Sequence, residues 1–105
     1  MQQPTVSNAF QVFMTSAPKH SQAWMAAVHG LDTASALDKK TEALAYLAVL
    51  AALRLESGVP FHTQMAKQAG ASREEVISAI LIGLPAAGNA VTQALPAALA
   101  AYDAG

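Results

Sequence analysis

The segment RLESGVPFHTQM, residues 54–65, contains the histidine of this chain that is best placed for chemistry. His62 follows Pro60 by two residues, and proline at this point is typical of the first turn of a helix. The positive end of a helix and partial burial both disfavour an imidazolium ion, so the ring is expected to be neutral near pH 7. A neutral imidazole can accept a proton or donate a hydrogen bond. The pattern therefore predicts either a chemically active histidine or a structural one bonded to a backbone carbonyl.

The neighbours of His62 define what such a site could contain. At helical spacing the ring borders an apolar face that includes Phe61, Met65 and Ala69. Arg54 and Glu56 lie just upstream, where they could face either the mouth of a pocket or, as a solvated pair, the bulk solvent.

Other kinds of chemistry have little support in the sequence. His20 is expected to be solvated, and His29 to lie at a helix C-terminus beside Gly30. No pair of histidines or carboxylates has the spacing of metal ligands, so we expect no metal site. The chain contains no cysteine, which excludes disulfides, thiolate ligands and thiol redox chemistry. It also contains no phosphate-binding loop or dinucleotide fingerprint, and no cofactor is expected.

Composition predicts an assembly of identical subunits. The chain has 105 residues, enough for one domain spanning 1–105, and 53% of them are hydrophobic. Only 12% are charged, against roughly 25% in an average soluble protein. So few charged groups cannot cover the surface of a lone small domain, and we expect a homo-oligomer.

Net charge and hydropathy limit the other partners. The formal net charge is -1 without a run of like charges, which argues against binding to nucleic acid or to a membrane surface. The longest apolar run, residues 43–53, is shorter than the roughly 20 residues needed to span a bilayer. No signal peptide opens the sequence, and we expect a cytoplasmic protein.

Apolar residues recur at helical spacing along the whole sequence and predict an all-α bundle of five or six helices. Asp38 and the capping box Ser72–Glu75 are predicted to begin two of them. Gly30 and Gly70 are predicted to end two others, and Pro96 to kink the last one. The predicted spans are 7–15, 19–29, 38–53, 60–69, 72–84 and 87–102.

Three blocks, LDKKTEALAYLAVLAAL, LESGVPFH and AGASREEV, resemble the carboxymuconolactone decarboxylase and alkylhydroperoxidase D superfamily over about residues 31–102. The resemblance implies an all-α fold, assembled as trimers or hexamers with sites near subunit contacts. It places the two peroxidase cysteines at Leu55 and Gly58 and the upstream glutamate at Ala43, with Glu42 adjacent but about 100° round the helix. Of those four groups only His62 is present, so cysteine-based peroxide reduction is excluded.

The decarboxylase branch of the superfamily also lacks the cysteine pair and keeps the histidine. Its resemblance implies a cofactor-free lyase that removes CO2 from a small carboxylated lactone. His62 would then be the proton donor and acceptor, with Glu56 as a further catalytic candidate, and Arg54, Phe61 and Met65 would contact the substrate. Two alternatives remain open: a non-catalytic oligomeric domain that binds a small ligand or a partner, and an antioxidant-family member that has lost its thiols.

Overall fold

A computed structural model describes residues 6–104 and shows an all-α bundle. Within that range six helices have nine residues or more, which confirms the predicted fold class. One further helical segment is a single turn, α6. The helices are α1 Asn8–Ser16, α2 Pro18–Ala34, α3 Lys39–Ala52, α4 Val59–Gln68, α5 Arg73–Leu81, α6 Leu84–Ala87 and α7 Leu95–Asp103. Two 3-10 turns, Glu56–Gly58 and Asn89–Ala94, precede α4 and α7.

The core is built around α3, which packs against α4 and α5, and α7 packs against the same two helices. Eleven buried apolar side chains form one cluster, which includes five alanines, so the helix backbones approach one another closely. The cluster consists of Leu47, Leu50, Ala51, Val59, Ala66, Ala71, Val76, Ile80, Val91, Ala94 and Ala98. It fixes the relative positions of α3 and α4, the two helices that carry the candidate site.

Local capping signals were predicted correctly. The Asp38 carboxylate accepts a hydrogen bond from the Thr41 amide at 2.8 Å and begins α3. Both halves of the predicted capping box are present, since the Glu75 amide donates to Ser72 Oγ and the Ser72 amide donates to Glu75 Oε1. Gly70 follows the end of α4 with φ of 100°, the left-handed conformation typical of a glycine that ends a helix.

Three predictions about the helices were wrong. Gly30 does not end α2, which continues to Ala34, so His29 lies inside an exposed stretch of helix rather than at its C-terminus. The segment predicted to be the last helix is divided, because Gly88 takes φ of 83° and ends the helical conformation after α6. Pro96 lies in the first turn of α7, where its missing amide hydrogen is not needed, and produces no kink.

The helices α1 and α2 form a hairpin that packs chiefly against itself. Ser21 is the only buried residue among the seventeen of α2. An ion pair between Lys39 Nζ and Asp32 Oδ2, 2.7 Å apart, bridges the short junction between α2 and α3. Between residues 6 and 104, no helix combines the length and the hydropathy that a membrane-spanning segment requires.

Candidate active site

His62 lies on the first turn of α4, at the edge of the face that this helix buries. Val59, Thr63 and Ala66 are the buried residues of α4 and lie four and three positions apart, on one side of the helix. His62 precedes Thr63 by one position, about 100° round the helix, and is therefore half-buried. The core contacts of α4 thus hold the ring at the boundary between the protein interior and solvent.

The His62 ring stacks on an aromatic side chain from the neighbouring helix. Its centroid lies 4.3 Å from that of Tyr46 on α3, with an angle of 34° between the rings. Phe61 presents its ring nearly perpendicular to the imidazole, with the centroids 5.1 Å apart. These two contacts restrict the orientation of the imidazole. Neither of them uses a ring nitrogen.

Neither ring nitrogen of His62 forms a hydrogen bond with any residue that the structure describes. A structural histidine would be expected to satisfy at least one nitrogen with a backbone carbonyl, and no such bond is present between residues 6 and 104. Burial lowers the pKa of His62 below its ordinary value of 6.5. The ring is therefore neutral at pH 7, with both nitrogens available to another molecule.

The helix α4 is anchored at its far end by α7. The side-chain amide of Gln64 donates to the carbonyl of Ala101, and Lys67 Nζ donates to the carbonyl of Tyr102 at 2.6 Å. The Tyr102 hydroxyl in turn donates to the Ala71 carbonyl at 2.8 Å, just beyond the end of α4. Because these bonds occupy the C-terminal carbonyls of α7, both helices are held in place and the position of His62 is well defined.

Arg54 lies at the corner between α3 and α4 in a strained backbone conformation. It has φ of 62° and is the only residue other than glycine with positive φ in the described part of the chain. Its amide donates to the Ala51 carbonyl at 3.2 Å, and its guanidinium Nη2 lies 3.4 Å from Gln93 Oε1. The guanidinium makes no ion pair with Glu56 among the described residues, and it remains exposed to solvent.

The structure brings some of the predicted site residues together and leaves others apart. Phe61 lies against His62, and Met65 follows it by one helical turn with about half of its surface exposed. Glu56 lies in the 3-10 turn before α4, without a hydrogen bond or ion pair to another side chain in the range 6–104. Neither Arg54 nor Glu56 is bonded to the imidazole.

Tyr46 was not among the residues predicted from the sequence. Tyr46 is the one residue of the apolar run 43–53 whose side chain ends in a polar group. This exception was the signal in the sequence that could have identified it as a site residue. Tyr46 is about half exposed, and its hydroxyl forms no hydrogen bond to another described residue. Tyr46 therefore adds a second potential hydrogen-bond donor beside His62.

Two other features do not contribute to this site. An open groove of about 340 Å³ runs between α3 and α5, lined by Leu44, Glu74, Glu75, Ser78, Ala79 and Ile82. The groove lining includes neither His62 nor the two aromatic residues that contact its ring. Between residues 6 and 104 no three histidine or carboxylate side chains are close enough to hold a metal ion.

Comparison with known proteins agrees with this architecture. The model of the Carboxymuconolactone decarboxylase family matches residues 18–100, which is most of the chain. The chain therefore belongs to the carboxymuconolactone decarboxylase family. Neither a curated protein nor a solved structure matched it.

Proposed function

We propose that this protein is a cofactor-free lyase that removes CO2 from a small carboxylated lactone, with His62 as the group that transfers the proton. One observation carries the proposal: a half-buried, neutral imidazole has no hydrogen-bond partner among the described residues and contacts two aromatic rings. Family membership supports a decarboxylase-like protein, and the absence of cysteine excludes the thiol chemistry of the peroxidase branch.

The reaction needs a proton at carbon after CO2 has left. The electron pair of the breaking carbon–carbon bond passes into the conjugated lactone carbonyl, and the resulting enolate is then protonated at carbon. The imidazolium form of His62 would donate that proton and return to neutral imidazole. Solvent restores the proton through the exposed side of the ring.

A carboxylated substrate would itself raise the proton affinity of His62. In the free protein burial keeps the ring neutral, but an anion placed against it favours the protonated form. Phe61 and Met65 would surround the departing carboxylate with apolar surface, which weakens its solvation and favours its loss as CO2. Charge that develops on the lactone oxygen needs a hydrogen-bond donor, and the hydroxyl of Tyr46, whose ring stacks on the imidazole, is a candidate.

Arg54 would supply the cation that attracts the substrate. Strained backbone at a residue other than glycine is most common at functional sites, and glycine would fit this corner with less strain. The guanidinium is held only by a long hydrogen bond to Gln93, so it could turn to a carboxylate at little cost. Glu56 remains a second acidic candidate at the same corner.

Turnover of a carboxylated lactone by the parent protein and its variants tests this proposal. CO2 release from γ-carboxymuconolactone should fall about 10²–10⁴-fold in His62→Gln, the range that general acid–base groups contribute. His29→Gln is a matched control, since it makes the same change at an exposed histidine on α2. Turnover in His62→Gln equal to that of the control would contradict the role of His62.

A second candidate function, binding of a small carboxylate without turnover, is favoured by the Arg54 guanidinium being bonded to Gln93 and to no residue beside the His62 ring. The guanidinium contacts Gln93, and no described residue is bonded to the imidazole. Calorimetric titration with γ-carboxymuconolactone separates the two functions. Binding that requires His62, without release of CO2, would support a binding protein and contradict the lyase.

A further inference from the structure

The open groove between α3 and α5, which we call the α3–α5 groove, combines apolar and polar side chains. Leu44 of α3 and Ala79 and Ile82 of α5 form its apolar lining. Leu44 and Ala79 are partly buried, whereas Ile82 is 72% exposed. The polar lining comes from α5 and consists of Glu74, Glu75 and Ser78.

The lining residues of α5 are arranged in order along the helix. Glu74 and Ser78 are four positions apart and share one side of α5, and Ile82 follows after four more positions. A carboxylate therefore lies in the first turn of α5 and an aliphatic side chain at its C-terminal end. Eight residues of helix span about 12 Å. The groove thus has negative charge at one end and apolar surface along the remaining length.

Glu75 is fully engaged within the chain. Its Oε1 atom accepts a hydrogen bond from the Ser72 amide at 2.8 Å, and its Oε2 atom accepts one from Lys40 Nζ at 2.9 Å. The bonds from Ser72 and Lys40 hold the pKa of Glu75 below its ordinary value. Glu75 is therefore ionised at pH 7, and Lys40 balances its charge.

Glu74, in contrast, has no partner for its charge between residues 6 and 104. Its carboxylate forms no ion pair or hydrogen bond there, and neither does the Ser78 hydroxyl. The adjacent cation, Arg73, is bonded to both carboxylate oxygens of Asp103, at 3.1 and 3.2 Å. A carboxylate and a hydroxyl, one helical turn apart, are thus both able to accept hydrogen bonds from a ligand.

The lining disfavours other classes of ligand. An anion would meet two carboxylates, and the lysine beside them is already paired with Glu75. A metal ion is disfavoured because no three histidine or carboxylate side chains converge in the described range. A wholly apolar molecule would remove water from Glu74 without replacing its hydrogen bonds, which is unfavourable.

We infer that the α3–α5 groove binds an aliphatic primary amine, with its ammonium group at Glu74 and Ser78 and its chain along the apolar lining. An ammonium group has three N–H donors, enough for the carboxylate, the hydroxyl and solvent. Contact of the chain with the apolar lining supplies most of the affinity, since an exposed ion pair contributes little by itself. A free amine fits better than the lysine of another protein, because four methylene groups are too few to extend from Glu74 to Ile82.

Isothermal titration calorimetry with octylammonium measures this binding, with butylammonium and octanoate as matched probes. Octylammonium should bind about tenfold more tightly than butylammonium, because four further methylene groups leave water. Octanoate, which has the opposite charge, should show no binding at the same concentrations. Equal affinity for butylammonium or octanoate would overturn the inference. Binding of Nα-acetyl-lysine methylamide as tight as that of octylammonium would point to a lysine side chain of a partner protein and would also overturn it.

Two matched substitutions locate the binding in the groove. Ile82→Lys adds a cation to the lining and should weaken octylammonium binding about tenfold or more. Leu31→Lys is the control, since it makes a similar change on α2 at a residue that is also 72% exposed. Equal affinities of these two variants would contradict the assignment to the groove.

The charge of Glu74 and the separation from the candidate active site need their own measurements. Glu74→Gln keeps the size of the side chain and should weaken octylammonium binding about threefold, the effect of an exposed ion pair. Nuclear magnetic resonance signals of the His62 side chain should not shift when octylammonium is added. Unchanged affinity in Glu74→Gln, or a shift of the His62 signals, would overturn the inference. None of these measurements depends on turnover, so a failed lyase assay leaves their result intact.

Discussion

Replacement of Arg54 by glycine and, separately, by alanine separates the strain of the α3–α4 corner from the chemistry of the guanidinium. Both variants lose the charge and the long hydrogen bond to Gln93, which is exposed and contributes little. They differ only in the Cβ atom, at a residue whose φ is 62°. Any difference in stability between them therefore reports the cost of a side chain in this conformation.

The size of that difference follows from the backbone conformation. A Cβ atom in the left-handed region costs about 1–2 kcal/mol, and glycine loses about 0.5–1 kcal/mol more conformational entropy on folding. The Arg54→Gly variant should thus be about 0.5–1 kcal/mol more stable than Arg54→Ala. In a domain of this size 1 kcal/mol shifts Tm by about 4–8 °C, so a difference of a few degrees is expected.

Stability and ligand binding should respond differently to these two changes. Urea denaturation gives the free energy of unfolding, and calorimetry gives the affinity for a carboxylated lactone. If Arg54 holds the carboxylate, both variants should bind about 10–100-fold more weakly, because a hydrogen bond to a charged group contributes about 1.5–3 kcal/mol. Equal stability of the two variants would refute the argument from strain. Unchanged affinity in Arg54→Gly would refute the assignment of Arg54.

Three further predictions concern the fold and the titration of the site. Burial lowers the pKa of His62, so just below pH 6.5 the unfolded chain binds more protons than the folded chain. The free energy of unfolding of the parent, measured by urea denaturation, should therefore decrease as the pH falls through this range. The decrease should be smaller in His62→Gln. Ser72→Ala removes one half of the capping box and should lower the free energy of unfolding by about 1 kcal/mol, seen as a lower urea midpoint. An unchanged midpoint would contradict the role of the cap. Ile80 is fully buried in the core, so Ile80→Ala should lower the free energy of unfolding by about 2–5 kcal/mol. Ile82 is two residues away and exposed, so Ile82→Ala should change it by less than about 0.5 kcal/mol. Similar losses in the two variants would contradict the assigned packing.

Local signals in the sequence predicted much of the fold. Asp38 and Ser72 begin helices because their side chains bond amides three residues away, an interaction that needs no tertiary contact. Gly30 misled the prediction because a glycine ends a helix only when its backbone turns left-handed, and here it remains helical within α2. Gly88, which does take a positive φ, lay inside a segment predicted to be one helix.

The candidate site could be predicted only in part. The position of His62 on the first turn of a helix and its neutral form follow from Pro60 and the surrounding apolar residues. Its stacking on Tyr46 joins residues sixteen positions apart, so it depends on how α3 packs against α4. The strain at Arg54 likewise could not be predicted, because arginine has no preference for a positive φ.

The low charge content predicted the large uncovered surface, and the structure shows where that surface lies. A sequence that is 53% hydrophobic and 12% charged places apolar side chains outside the core of its own chain. Fifteen large apolar side chains in the described range are more than one-third exposed, among them Trp24 and Leu31 on α2 and Tyr46 and Phe61 beside His62. Homo-oligomerisation, as trimers or hexamers, remains a prediction that the mass of the particle in solution, measured by sedimentation velocity, would test.

Nuclear magnetic resonance of the histidine side chains tests the central claim most directly, because it follows the His62 ring itself. In the free protein His62 should titrate below its ordinary pKa of 6.5, since burial disfavours the charged form. Addition of γ-carboxymuconolactone should shift the His62 signals and raise this pKa, while the exposed His29 should not respond. A His62 that titrates at or above 6.5 in the free protein, or whose signals ignore the ligand, would contradict the account.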